Sequence, residues 1–211
     1  MSAIGYLRNS PTGLVGTRGS HYDYVLAGNG LFLEASSELL VARVQVSRSV
    51  FRGLKPMEPL VQLRHGKLPP YLWDLATSEL LRDVSKERFV AVVWDGNGYS
   101  LRIPEQDVSA GGVHGIERQP HTVLDLHSHS GMPAYFSQTD DGDEVGFQVY
   151  GVAGRLNRIR PEYTFRVGIY GEWGRIRFAD VFDGSPGTFL DAQDAAEAEA
   201  LDEIDSVYGG R

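Results

Sequence analysis

The stretch Val123–Asp141, VLDLHSHSGMPAYFSQTDD, decides how the rest of the chain is read. Leu124-Asp125-Leu126 alternates apolar and acidic residues, as a strand end does, and residues two apart on a strand point to one face. His127 and His129 therefore share a face and can share one ion. After seven more residues, Ser137 has the character of a helix cap, with Gln138, Thr139, Asp140 and Asp141 as the first turn. Residues three apart on a helix are neighbours, so Ser137 and Asp140 face the same way. Gly131 and Pro133 let the intervening span turn back over the strand end. Two imidazoles and a carboxylate are the donors a hydrolytic zinc takes when it keeps a fourth position for water. His127, His129 and Asp140 are thus the expected metal ligands. An isolated H-x-H is common on solvated strand ends. The whole H-x-H-x7-S-x-x-D pattern arises by accident in roughly one chain of this length in a thousand.

The segment HSHSGMPAYFSQTD (His127–Asp140) resembles the signature of the JAB/MPN/JAMM metallopeptidases, in particular their prokaryotic branch. The resemblance implies an α/β fold, a mixed β-sheet flanked by helices with a cytidine-deaminase-like core. It also implies Zn²⁺ on His127, His129 and Asp140, with Ser137 polarising the scissile carbonyl and steadying its oxyanion. An upstream glutamate would serve as general base, placed where a helix gives way to the first core strand. Glu87 occupies that position, forty residues before His127. It is followed by Arg88-Phe89-Val90-Ala91, where the family has a small, glycine-containing pattern. Glu105 and Glu117 are the alternatives. The implied substrate is a ubiquitin-like protein or its conjugate, cut after its C-terminal glycine, and the implied partners include homologues of activating and conjugating enzymes. An inactive MPN-like scaffold and a small-molecule amidase remain open as other readings.

DLHSHS followed by S-x-x-D also resembles the start of a PHP-type phosphoesterase, which gathers further histidines from later strands. None of the six histidines here follows His129. An amidohydrolase barrel needs about 250 residues, more than remains after this strand.

The chain has 211 residues and 42% hydrophobic residues, enough for one packed domain with appendages. It lacks cysteine, which excludes disulfides and thiol chemistry and fits a reducing cytoplasm. No apolar run reaches the length of a membrane span, and the first thirty residues lack a signal-peptide pattern. The net charge is −8, which gives no sign of a nucleic-acid surface. Seven of the acids lie between Asp191 and Asp205 with no base among them, so the body is close to neutral.

Three parts are expected: a β-rich N-terminal extension over 1–55, a core over 56–184, and an acidic helix and tail over 185–211. Residues 1–20, rich in Gly, Ser and Thr, have little periodicity. YDYVLAG and LFLEA across Asn29-Gly30 read as a hairpin, and Leu39–Ser47 as a half-buried strand. This part is expected to extend the core sheet. Leu72, Leu75, Ala76, Leu80 and Val84 predict an amphipathic helix of about four turns after Pro70. Arg88–Trp94 predicts a strand buried on both faces, returning as YSLRI. Pro104–His121 reads as a long loop in which His114 and His121 are solvated. Val145–Ala153 is a further strand, and EYTFRVGIYG with RIRFADVFDG a hairpin-like pair. Thr188 is the expected cap of a last helix running to Val207. The terminal Gly209-Gly210 is read as fraying.

Overall fold

The structure, a computed structural model, describes residues 2–109, 112–114 and 119–197. The chain is mixed α/β, with two mixed sheets and few helices. The first sheet comprises β1 (Ile4–Ser10), β2 (Gly13–Thr17), β3 (Tyr22–Ala27), β4 (Gly30–Ser36), β5 (Leu40–Arg48) and β6 (Leu60–Leu63). Its order is β2-β1-β3-β4-β5-β6, with β1 and β3 parallel and the other pairs antiparallel. The hairpin across Gly28-Asn29 forms as expected, pairing Ala27 with Gly30. In β5 the alternation also holds, with Leu40, Ala42 and Val44 buried.

Two expectations are corrected in this sheet. Residues 4–17 form a hairpin rather than an irregular lead, and they lack hydrophobic rhythm because β2 is an edge strand with almost nothing buried. The sheet is also separate from the core sheet instead of extending it. β6 ends at Leu63, so the sheet includes residues on both sides of the boundary expected at 55. It packs on the rest through Leu33, Leu40, Ala42 and Val44, which share one apolar core with Val90, Leu124, Phe165 and Val167.

The second part runs α1 (Pro70–Leu80), β7 (Phe89–Trp94), β8 (Tyr99–Arg102), β9 (Asp107–Ser109), β10 (Gly112–His114) and β11 (Thr122–Ser128). It continues through α2 (Gln138–Asp143), β12 (Phe147–Gly154), β13 (Glu162–Ile169), β14 (Glu172–Ile176), α3 (Phe178–Val181) and β15 (Leu190–Asp191). The core sheet has the order β14-β13-β12-β11-β7-β8, with β15 beside β13. Only β11 with β12 and β13 with β15 are parallel in it. β9 and β10 form a small antiparallel pair within the stretch expected to be loop.

α1 is three turns long, not four. Asp83 Oδ1 accepts from the Ser85 N–H at 3.1 Å and hydroxyl at 2.6 Å, an Asx turn that competes with helix and leaves Val84 outside it. Its buried face is Leu72, Trp73, Ala76 and Leu80, whereas Leu75 is 51% exposed. Trp73 is the hub, with the rings of Tyr163, Phe165, Phe178, Phe182 and Phe189 around it at 5.2–5.8 Å. That hub explains a further correction: Phe178 and Phe182 belong to the helical turn α3 and its end, not to a strand, because both rings turn inward onto Trp73. The hairpin partner of β13 is Glu172–Ile176 instead, across Tyr170-Gly171. At the end of the described chain, residues 192–197 are helical and Asp191, not Thr188, caps them by accepting from Gln193 N at 3.0 Å. The remainder of that expected helix, and Gly209-Gly210, lie outside the described residues. Among the described residues no helix is long and apolar enough to cross a membrane.

Candidate metal centre

In β11, Val123, Leu124, Leu126 and Ser128 are buried, and Asp125, His127 and His129 alternate onto the opposite face. β11 lies between β7 and β12, so its end is fixed from both sides: Ser128 N donates to Arg88 O at 2.8 Å and His129 N to Ala153 O at 2.8 Å. The following segment folds back immediately. Met132 N donates to His129 O, Arg155 N to Met132 O and Leu156 N to Ser130 O. Gly154 makes this possible, since a Cβ there would run into the backbone of Ala134 and Pro133. Tyr135 then sets its ring edge against His129, with centroids 4.8 Å apart.

Ser137 is the N-cap of α2 as expected, in a reciprocal capping box. Its Oγ accepts from Asp140 N at 3.2 Å, and its own N–H donates to Asp140 Oδ2 at 2.6 Å. The cap therefore aims the carboxylate. His127 Nε2 and His129 Nε2 face each other at 3.1 Å, with Asp140 Oδ1 3.3 Å from the first and Oδ2 3.7 Å from the second. Tetrahedral bonds of ~2.05 Å from one ion separate donors by roughly 3.3 Å. These three side chains therefore fit one metal ion, and the group His127-His129-Asp140 can hold one. Burial alone would raise the Asp140 carboxyl, but hydrogen bonds from His127 and His129 outweigh it and hold the group far below the usual carboxylate range.

Glu87 reaches the same place by strand register. β7 pairs Ala91 with Asp125 and Phe89 with His127, and the pairing continues as Arg88 N donates to Ser128 Oγ at 2.9 Å. Glu87 lies two residues before Phe89, just beyond the paired strand, and is near enough to His129, His127 and Asp140 for their charges to act on it. It is 9% exposed. Burial raises its pKa, with His129 and His127 pulling the other way and Asp140 adding to the rise. The segment is anchored by Arg88, which reaches Glu79 of α1 at 2.6 Å, and by the Gln106 side chain, which bonds both N and O of Phe89. Of the alternatives, Glu105 is exposed and Glu117 lies outside the described residues. His121 sits 3.2 Å from Glu38 and is not part of the trio, and the side chain of His114 is not described.

Two residues that the sequence did not single out stand beside the trio. Glu144, at the end of α2, places Oε1 4.0 Å from His127 Nδ1, and Arg166 of β13 holds its other oxygen at 2.6–2.8 Å. Burial pushes the Glu144 carboxyl up to about 8, against the pull of Arg166 and with help from Asp140. Their signal in the sequence was an acid four residues past Asp140 and an arginine between Phe165 and Val167, neither of which identifies a partner. A cleft of about 380 Å³ is lined by Phe89, Asp125, Phe147, Gln148 and Tyr170 and by Ser37, Glu38 and Leu39 of the turn between β4 and β5. None of the trio lines it. A scan against protein-family models gave no match to this chain, and a search of curated proteins gave none either.

Proposed function

We propose that the protein is a zinc-dependent peptidase of the JAMM type that hydrolyses an amide bond after the C-terminal glycine of a ubiquitin-like protein. The observation that carries this reading is the convergence of His127, His129 and Asp140 on one point, with Glu87 near enough to feel the charge of all three. The donor chemistry supports zinc, since neutral imidazoles and one carboxylate suit it and no softer ligand stands in the group. When bound, zinc would supply Lewis acidity, polarising a carbonyl and making water acidic enough to attack near neutral pH. The core would then be cytidine-deaminase-like, with the end of β11 and the start of α2 as the ligand-bearing unit.

Glu87 is the general base. Its raised pKa brings it closer to the working pH, where a base both accepts and returns a proton efficiently. It takes the proton of the attacking water and delivers it to the leaving amine. Ser137 is the oxyanion donor. Its lone pair is engaged by Asp140 N, so the hydroxyl proton stays free for a carbonyl oxygen as charge develops on it. Asp140 is already aimed by its cap and needs no rearrangement to serve as a ligand. No side chain becomes acylated, in keeping with a chain that contains no cysteine.

The test is hydrolysis of a fluorogenic fusion to a folded ubiquitin-like protein ending in Gly-Gly, compared with a short peptide amide. We expect cleavage of the fusion with zinc, its loss with chelator and its return on re-adding the metal. Cleavage of the short amide alone would replace this reading by a small-molecule amidase. Zinc binding with no hydrolysis of either would replace it by a scaffold.

A further inference from the structure

His127 and His129 are oriented by different means, although they are two residues apart on one strand. The Nδ1 of His129 is buried with no hydrogen-bond partner, and that ring is held by its backbone bond to Ala153 and by Tyr135. The Nδ1 of His127 instead faces a carboxylate, Glu144 Oε1, at 4.0 Å. Glu144 has little freedom. It is 8% exposed, its Oε2 accepts from Arg166 Nε at 2.8 Å and lies 2.6 Å from Nη2, and its carbonyl accepts from Trp173 Nε1 at 3.1 Å. Arg166 is itself fixed. Its guanidinium lies 3.9 Å from the centre of the Phe136 ring and 4.6 Å from that of Trp173, and its Nη1 reaches Asp141 at 2.6 Å.

We propose that Glu144, held by Arg166, is a positioning residue that fixes the tautomer of His127. The inference rests on the metal reading above. A neutral imidazole carries one N–H and one lone pair. At 4.0 Å the contact is longer than a hydrogen bond, and it acts through charge: a negative oxygen on that side favours the proton on Nδ1 and leaves the Nε2 lone pair pointing at His129 Nε2 and Asp140. The ion pair with Arg166 favours the charged form of Glu144 against its burial, and a carboxylate in that place also makes the ring a stronger donor to a metal. The two carboxylate oxygens have separate tasks, one for Arg166 and one for His127, so a side chain with a single acceptor cannot do both. Glutamine would give its oxygen to the arginine fork and turn its NH₂ toward Nδ1. That opposes two donors and favours the wrong tautomer.

The experiment measures zinc affinity of the full chain by competition with a chromogenic chelator, for wild type, Glu144→Gln and Glu144→Ala. Long-range ¹H–¹⁵N NMR of the zinc-loaded proteins reads the His127 tautomer. The inference expects a proton on Nδ1 of His127 in the wild type. It also expects 10–100-fold weaker zinc binding in Glu144→Gln, the usual loss on removing such a partner, with near-UV circular dichroism unchanged. Should Glu144→Ala fail to fold with Arg166 left unpaired, the isosteric glutamine variant decides. A folded Glu144→Gln protein with wild-type affinity, or a wild-type His127 that carries its proton on Nε2, overturns the inference and leaves the metal reading intact. A wild-type chain that takes up no zinc overturns both.

Discussion

Replacing Ser137 with alanine separates the structural and chemical duties of one hydroxyl. The substitution removes the bond from Asp140 N to Ser137 Oγ and leaves the backbone N–H of position 137 on Asp140 Oδ2. Loss of a serine N-cap costs about 1 kcal/mol, and at this chain length each kcal/mol shifts Tm by roughly 2–4 °C. Circular dichroism should therefore show Tm falling by about 2–4 °C. Zinc affinity, set by ligands that stay in place, should change by less than about tenfold, the effect of outer partners at its lower end. Hydrolysis should fall by about 10²–10³ in kcat, the loss on removing one oxyanion donor, with KM little changed. Ser137→Gly distinguishes the two duties, because glycine at an N-cap costs only a few tenths of a kcal/mol and presents no side-chain donor. It should recover most of the lost stability and none of the activity. A glycine variant with wild-type kcat would refute the oxyanion assignment, and an alanine variant as stable as wild type would refute the capping box.

Other consequences follow from the same geometry. Zinc at a thousand times its Kd should stabilise the chain by about 4 kcal/mol, and His129→Ala, lacking one of three donors, should show neither that shift nor one bound equivalent by elemental analysis. Glu87→Gln should keep the fold and the metal while kcat drops by about 10²–10⁴, and unchanged hydrolysis would remove Glu87 as the base. Gly154→Ala should displace the segment that lies over it, lowering both Tm and zinc affinity, because its Cβ meets backbone rather than a movable side chain. Tyr163, whose phenol is pushed up to about 12 by burial with Asp191 and Asp194 nearby, gives a pH dependence with a definite sign. The unfolded phenol loses its proton near its ordinary value of about 10 and the folded one later, so stability is full below pH ~10 and declines as pH rises toward ~12. Denaturant melts of Tyr163→Phe should show a shallower decline over that window.

The sheet strands with strong alternation were legible because one face of each meets an apolar core while the other does not. β5 and β11 show this directly, whereas β7 was legible as a continuous apolar run buried on both faces. β1 and β2 were missed because an edge hairpin buries too little to leave a rhythm. In α1, Leu75 and Trp73 exchanged places, since both occur at helical spacing and only the position of Tyr163, Phe165 and Phe178 decides which face turns inward. The same aromatic cluster drew Phe178 and Phe182 out of a strand.

The sequence by itself determined the group of side chains that can hold a metal, and its aim. His127 and His129 share a face by strand periodicity, and the Ser137–Asp140 box closes within one turn, so both follow from interactions local to about fifteen residues. Only the tertiary structure decided what surrounds them. Glu87 is brought near His129 because β7 pairs with β11, and Arg166 meets Glu144 across the parallel β11–β12 crossover and the neighbouring β13. Such partners are chosen by which strands lie side by side, and that choice is made by burial of the whole apolar surface, not by any short pattern in the chain.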